Sequence, residues 1–422
     1  MGKKYFDASW DFYGENTKEY THGFHTYPAM MIPQVARELI KRYSNKNTKI
    51  IFDPYMGSGT TLVEAKLAGI KSIGTDLNPL ARLISLVKTT NLDRKVLEKE
   101  IINFKKKISK DKIYFEKLEI VIPNFNIRDN WFKSITLQEL GIIKKCIEEI
   151  EDKSIRNFFY IAFTETVRLV SYTRNGEFKL YAIEAEKKET FNPDTFEIFV
   201  KKLNENFKGL IDFNSKTENN VNSYIYNFDT ILSIPDGILK NESVDLVVTS
   251  PPYGDSRTTV AYGQFSRLAN EWMEFDNPSK IDTLLMGGKK TKESFRFNFS
   301  LLDEILDTIK ESDKEKHKSK AREPEVVSFY QDYKKSIDNI SKIIKKGGYV
   351  CYVVGNRRVH NIELPTDEIT KFFFEQNGFE HIETIIRNIP GKRMPSKTSP
   401  TNRAGKTVST MKFEYIVIMR KL

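Results

Sequence analysis

Apolar residues along this chain gather into short runs rich in β-branched side chains, bounded by turn residues and separated by stretches with helical spacing. Lys49 to Pro54 (KIIFDP) and Ser72 to Leu77 (SIGTDL) read as two strands joined by a helix of about ten residues that opens at Thr60. Further strands are predicted at Ser223 to Phe228, Val244 to Ser250, Gly348 to Gly355, Phe379 to Ile389 and Lys412 to Arg420, about seven in all. The last two are expected to be antiparallel. Strand and helix in alternation predict an α/β fold, a mainly parallel sheet with helices on both faces.

The alternation breaks twice. From Asp93 to Asn219 the chain carries Lys-rich helical segments, a long apolar-faced helix near Ile155 to Tyr172 and an Asn175-Gly176 turn that suggests a small hairpin. This reads as a mostly helical insertion. A second insertion, Asp276 to Glu325, is highly charged around Lys310 to Arg322 and predicts an exposed helix or loop. The sequence thus divides into parts 1–92, 93–219 and 220–422, the last interrupted at 276–325.

Hydrophobic residues make up 39% of the 422 and charged residues 29%, which excludes a disordered tail and a fibrous repeat. Lys and Arg number 67 against 57 Asp and Glu, a net charge of +10 that favours a polyanionic partner. The two cysteines, Cys146 and Cys351, lie far apart and outside any Cys-x-x-Cys pattern, so neither a disulfide framework nor a metal site is expected. The most apolar stretch, Phe158 to Val170, is interrupted by Glu165 and Arg168, so no membrane span is predicted. The start, MGKKYFD, lacks the apolar core of a secretory signal, and the expected location is the cytoplasm.

Two motifs carry the candidate chemistry. Asp53-Pro54-Tyr55-Met56-Gly57-Ser58-Gly59-Thr60-Thr61 sits between a predicted strand and a predicted helix. Gly57 and Gly59 let a ligand approach the backbone, and the helix opening at Thr60 offers free N–H groups. Asp53 is placed to accept from a ligand ammonium. Asp76 ends the next strand, where an acidic residue takes ribose hydroxyls in nucleotide-binding βαβ units. No Gly-Lys-Ser/Thr follows and the full Gly-x-Gly-x-x-Gly is missing, so a small adenosine ligand is expected rather than a nucleoside triphosphate or dinucleotide.

The second motif, Thr249-Ser250-Pro251-Pro252-Tyr253, follows the apolar strand Val244 to Val248. Two prolines end a strand abruptly and hold a rigid rim. Ser250 supplies a hydroxyl acceptor and Tyr253 a flat ring, the parts needed to hold an exocyclic amino group of a base.

Together these motifs resemble those of S-adenosylmethionine-dependent DNA amino-methyltransferases, especially the cytosine-N4 branch, since adenine-N6 enzymes usually carry Asp or Asn where Ser250 stands. The resemblance extends to His25-Thr26-Tyr27-Pro28-Ala29, similar to the family's extra cofactor-binding segment, and to Gly254 through Thr259, Gly348 to Asn356 and Arg387 to Glu414. It covers roughly half the chain in dispersed blocks. It implies a Rossmann-like methyltransferase sheet, S-adenosylmethionine held by Tyr27, Pro28, Asp53, Pro54, Gly57, Gly59, Thr60, Asp76, Asn78 and Asp229, and catalysis by Ser250, Pro251, Pro252 and Tyr253. Residues 1–92 then carry the cofactor loop, 93–219 is a candidate for DNA recognition, and 220–422 is the catalytic part. In many members with this glycine loop the Pro-Pro-Tyr motif comes first, whereas here the cofactor motif leads.

Seven basic residues and no acidic one lie from Arg387 to Lys412. Lys392, Arg393, Lys397, Arg403 and Lys406, with Arg257 beside the second motif, are the candidate contacts to double-stranded DNA. A restriction endonuclease reading the same site would be the natural counterpart of such an enzyme. Three other readings stay open at this level: adenine-N6 methylation, RNA guanine-N2 methylation, and a DNA-binding protein with a vestigial pocket.

Overall fold

The computed structural model describes residues 2–113, 120–256, 258–291, 295–316, 321–389, 397–398, 408–409 and 411–422. In chain order the strands are β1 (Lys3–Phe6), β2 (Ile50–Asp53), β3 (Lys71–Thr75), β4 (Ser223–Tyr226), β5 (Val244–Thr249) and β6 (Ile344–Val354). There follow the short pair β7 (Arg358–Val359) and β8 (Ile362–Glu363), then β9 (Phe379–Asn388), the short pair β10 (Lys397–Thr398) and β11 (Val408–Ser409), and β12 (Phe413–Lys421). One eight-stranded sheet runs β1-β9-β12-β6-β5-β2-β3-β4. Every neighbouring pair is parallel except those of β12, which is antiparallel to both β6 and β9.

The seven expected strands are all present, and β1 is an eighth. Its four residues are all exposed, so no alternation marked it; pairing with Glu383 to Ile386 of β9 makes it a strand. The last two strands pair antiparallel as expected, with β9 keeping the common direction.

Period-two alternation divides the sheet between two layers. Phe52, Val247, Val350, Tyr352 and Val417 face helices α13 (Glu323–Ile343) and α14 (Thr366–Glu375). Ile51, Leu246, Val248, Cys351 and Ile416 face α1 (Pro33–Tyr43) and Ala65 of α2 (Thr60–Leu67), which is eight residues long. Both faces are therefore covered, as a parallel sheet requires.

A third core holds no strand residue. It joins α3 (Pro79–Thr89) to the insertion helices α4 (Arg94–Ile113), α6 (Ser134–Glu148), α7 (Lys153–Leu169) and α9 (Thr195–Asn214), and to α10 (Tyr262–Trp272). The helical character expected for 93–219 holds, and the expected hairpin is reduced to one bridge, Thr173 to Ala182. In the charged second insertion the helix α12 (Ser300–Lys316) forms, with Arg296 paired to Asp307 on its outer side. Cys146 and Cys351 form no disulfide and are both buried, packing as small hydrophobes.

The chain leaves β2 toward β3 on one side, while β5 leads to β6 on the other. In an open α/β sheet the crevice at such a reversal, beyond the carboxyl ends of the strands, is where ligands bind. Asp53 ends β2 and Ser250 follows β5, so both motifs arrive there from local sequence alone.

Candidate functional site

After β2 the chain turns through two left-handed glycines, Gly57 at φ +47° and Gly59 at φ +77°. The turn is cross-tied: the Gly59 N–H donates to Met56 O at 2.7 Å, and Met56 N donates to Thr75 O of β3 at 3.2 Å. Asp76 accepts from Gly57 N at 3.0 Å through Oδ2 and from Asn78 N at 2.8 Å through Oδ1. The middle of the turn, Met56 and Gly57, is thus fastened to Thr75 at the end of β3 and to Asp76 just after it, before any ligand arrives.

Asp53 is 3% exposed and accepts from the Thr249 hydroxyl at 2.6 Å and from Tyr55 N at 3.2 Å, which ties the end of β2 to the end of β5. Burial pushes both the Asp53 and Asp76 carboxyls up to about 6, against the opposing effect of these hydrogen bonds. Asp229, whose carboxylate accepts from Ile231 N at 2.9 Å, is raised too, again chiefly by burial. Three carboxyls that burial holds above their ordinary range around one crevice make it the candidate functional site.

One cleft of roughly 1000 Å³, counted to its open mouth, brings together Tyr27, Pro28, Asp53, Pro54, Gly57, Thr60, Asp76, Asp229, Ser250 and Pro252 from the expected set. Several expected residues do not line it. Gly59 spends its N–H on Met56, and a side chain there would meet Ser85 Oγ at 2.7 Å, so its role is the close approach of α2 to α3. Asn78 is wholly buried: it caps α3 at Leu80 N and donates to the Tyr27 hydroxyl and Ser266. It therefore holds the Tyr27 side of the cleft without lining it. Pro251 and Tyr253 are not among the residues lining it; Pro251 is buried beside Ser250, and Tyr253 is half-buried and packs in part against the core on the α13 side of the sheet.

Some site residues carry no local signal. Phe228 and Ile231 flank Asp229, and Tyr262 and Met286 close the far side. Glu165 of α7, which in the sequence only interrupts an apolar run, accepts from Thr26 N and the Thr26 hydroxyl and fixes the segment leading to Tyr27. Glu414 of β12 accepts from the Tyr253 hydroxyl at 3.2 Å and pairs with Arg387 at 2.6 Å.

Arg387 consequently belongs to β9 and is neutralised inside the fold, which corrects its place among the basic loop residues; six of the seven remain between it and β12. Arg257, Lys392, Arg393, Arg403 and Lys406 lie outside the described residues, and Lys397 begins β10. Among the described residues no cluster suited to a metal ion occurs, and no helix is long and apolar enough to cross a membrane.

Residues 1–85 match a family described as DNA methylase. The type II methyltransferase M.MvaI of Kocuria varians is 40% identical over 97% of this chain and 93% of its own length. M.MjaII of Methanocaldococcus jannaschii is 34% identical over 37% of the chain and 30% of its length. A tRNA (guanine(10)-N2)-dimethyltransferase of the same organism is 25% identical over 40% of the chain and 47% of its length. Among solved structures, a putative DNA modification methylase from Thermus thermophilus complexed with S-adenosyl-L-methionine covers 46% of this chain and 53% of its own at 18% identity and a TM-score of 0.21.

Proposed function

The chain belongs to the type II DNA methyltransferases, and from that premise we propose that it transfers a methyl group from S-adenosylmethionine to the exocyclic N4 amino group of cytosine in duplex DNA. The observation that carries the N4 reading is Ser250, a neutral hydroxyl lining the cleft at the end of β5.

The cleft fits the methyl donor by its donor and acceptor set. Asp53 offers a buried carboxylate for the ammonium, Asp76 one for the ribose hydroxyls, and Asp229 one for the adenine amino group, with Phe228 and Ile231 as apolar walls. Gly57 keeps the backbone open beside the Tyr27 ring, where a Cβ would lie 3.4 Å from Cε1. When bound, S-adenosylmethionine supplies a methyl group on a sulfonium, which an amine takes up directly.

The residues of the chain have the task of orientation. Ser250 and the Pro251 carbonyl accept the two amino hydrogens, which pulls the nitrogen lone pair out of conjugation with the ring and aims it. Well-aligned reactants gain roughly 7 to 11 kcal/mol over free encounter. No thiol takes part: Cys146 and Cys351 are buried in separate cores, and burial holds the Cys351 thiol well above its ordinary range. The target base leaves the helix stack at a cost of about a few kcal/mol, and the Tyr253 ring offsets part of that by stacking. The chain works in the cytoplasm, opposite an endonuclease that cuts the same unmodified site.

Expression in a methylation-free host, followed by nucleoside mass spectrometry and long-read sequencing, tests the assignment. N4-methylcytosine in DNA is the expected mark. N6-methyladenine, or modified RNA beside unmodified DNA, would overturn it.

The raised carboxyls add a pH dependence. The ligand ammonium and hydroxyls need Asp53 and Asp76 ionised, and both hold their protons up to about pH 6 in the free protein. Affinity for S-adenosylmethionine should therefore be flat above about pH 7 and fall as the pH drops through 6, about tenfold by pH 5 for each carboxylate that must ionise. Calorimetry across that range checks this, and Asp76→Ala should bind clearly more weakly at pH 8. Unchanged affinity would remove Asp76 from the ribose role.

A further inference from the structure

A serine hydroxyl is ambiguous: it rotates freely and presents either its proton or its lone pairs. Ser250 can hold an amino group only if it presents lone pairs to the cleft. What lies behind it decides this. Ser250 Oγ is 3.2 Å from the Tyr253 hydroxyl, which is 3.2 Å from Glu414 Oε1, while Glu414 Oε2 takes Arg387 Nη1 at 2.6 Å. A carboxylate only accepts. Burial, reinforced by the Glu414 charge, holds the Tyr253 phenol well above its ordinary range, so it keeps its one proton and donates it to Glu414.

The Tyr253 oxygen is then left as an acceptor, and the Ser250 proton turns back toward it. The Ser250 lone pairs consequently face the cleft that its side chain lines. The Arg387 side chain is 3% exposed and Glu414 stands directly opposite it across β9 and β12, so the anchoring charge is pinned by a cross-strand pair. The Tyr253 ring has little freedom either, since a Cβ on Gly355 would lie 2.8 Å from its Cδ2.

We infer that Glu414 is a positioning residue that, through Tyr253, fixes Ser250 as a hydrogen-bond acceptor and so makes the site selective for an amino group over a carbonyl oxygen. The inference rests on the reading that Ser250 receives the amino group of the target base. It accounts for rejection of thymine, whose O4 would face Ser250 acceptor to acceptor.

A double-mutant cycle tests it, read as single-turnover methylation of a duplex carrying the target site, with S-adenosylmethionine affinity measured in parallel. Glu414→Gln and Tyr253→Phe should each lower the rate about tenfold or more and leave cofactor affinity unchanged. The double variant should be no slower than the slower single, because Glu414 acts only through the Tyr253 hydroxyl. Losses that multiply in the double variant would overturn the relay and assign Glu414 to strand pairing with Arg387. Where Glu414→Gln does not fold, Tyr253→Phe alone decides, and a wild-type rate would overturn the inference. The base assignment is judged separately by the product: N6-methyladenine would remove the cytosine reading while the cycle still reports on the relay, since adenine also presents an amino group.

Discussion

Replacing Tyr253 by alanine should lower methyl transfer by about a thousandfold while S-adenosylmethionine binds as before. Two effects combine. Base–aromatic stacking contributes about 1 to 3 kcal/mol, and its loss raises the free energy of the extruded base. The larger effect is on orientation: without the phenol the Ser250 hydroxyl has lost its 3.2 Å partner, and misplacing one preorganised hydrogen-bonding group in an active site lowers kcat about 10²- to 10³-fold. Tyr253 does not line the cleft that Asp53, Gly57 and Asp76 share, so the cofactor contacts there are untouched. Single-turnover kinetics beside calorimetry separate the two quantities; a parallel loss of cofactor affinity would mean that the ring supports the whole cleft instead.

The second large effect concerns the basic segment between β9 and β12. Replacing Lys392, Arg393 and Lys397 together by alanine should flatten the plot of log affinity against log salt by up to about 3 units, since each phosphate neutralised contributes about 0.9. Between 50 and 200 mM salt that difference amounts to roughly 40-fold in how much binding weakens. The change should be alike on specific and random duplexes, because phosphate contacts set register and carry no sequence information. A triple variant that keeps the wild-type slope but methylates a relaxed set of sites would assign the segment to base reading.

What the sequence disclosed was what chain neighbours determine. Asp53 to Thr61 and Thr249 to Tyr253 are local turns whose glycines and prolines have a conformational meaning wherever they sit, and each follows a strand whose apolar run is unambiguous. What it withheld depended on distant partners. Asn78 and Gly59 look like ligand contacts beside Asp76 and Gly57, yet Ser85, Ser266 and Tyr27 claim them for packing and cross-linking. Glu414 lies 161 residues from Tyr253 and reads as one more alternating position of a strand. Arg387 falls inside the predicted strand Phe379 to Ile389, yet it counts among the charges of the basic segment until Glu414, 27 residues on, neutralises it.

The position of β2 in the sheet has a consequence for how the protein is made. Its partner β5 is encoded far downstream: Ile51 pairs with Leu246, and Asp245 accepts from Lys49 N and Ile50 N across 195 to 196 residues. At ribosomal rates of about 5 to 20 residues per second, the nascent β2 edge waits roughly 10 to 40 s for that neighbour. During the wait Asp53 lacks Thr249 and the crevice has only one wall, so the methyl donor cannot serve as a template for early folding. Much of the helical core, which contains no strand residue, has by then emerged and can consolidate ahead of the sheet.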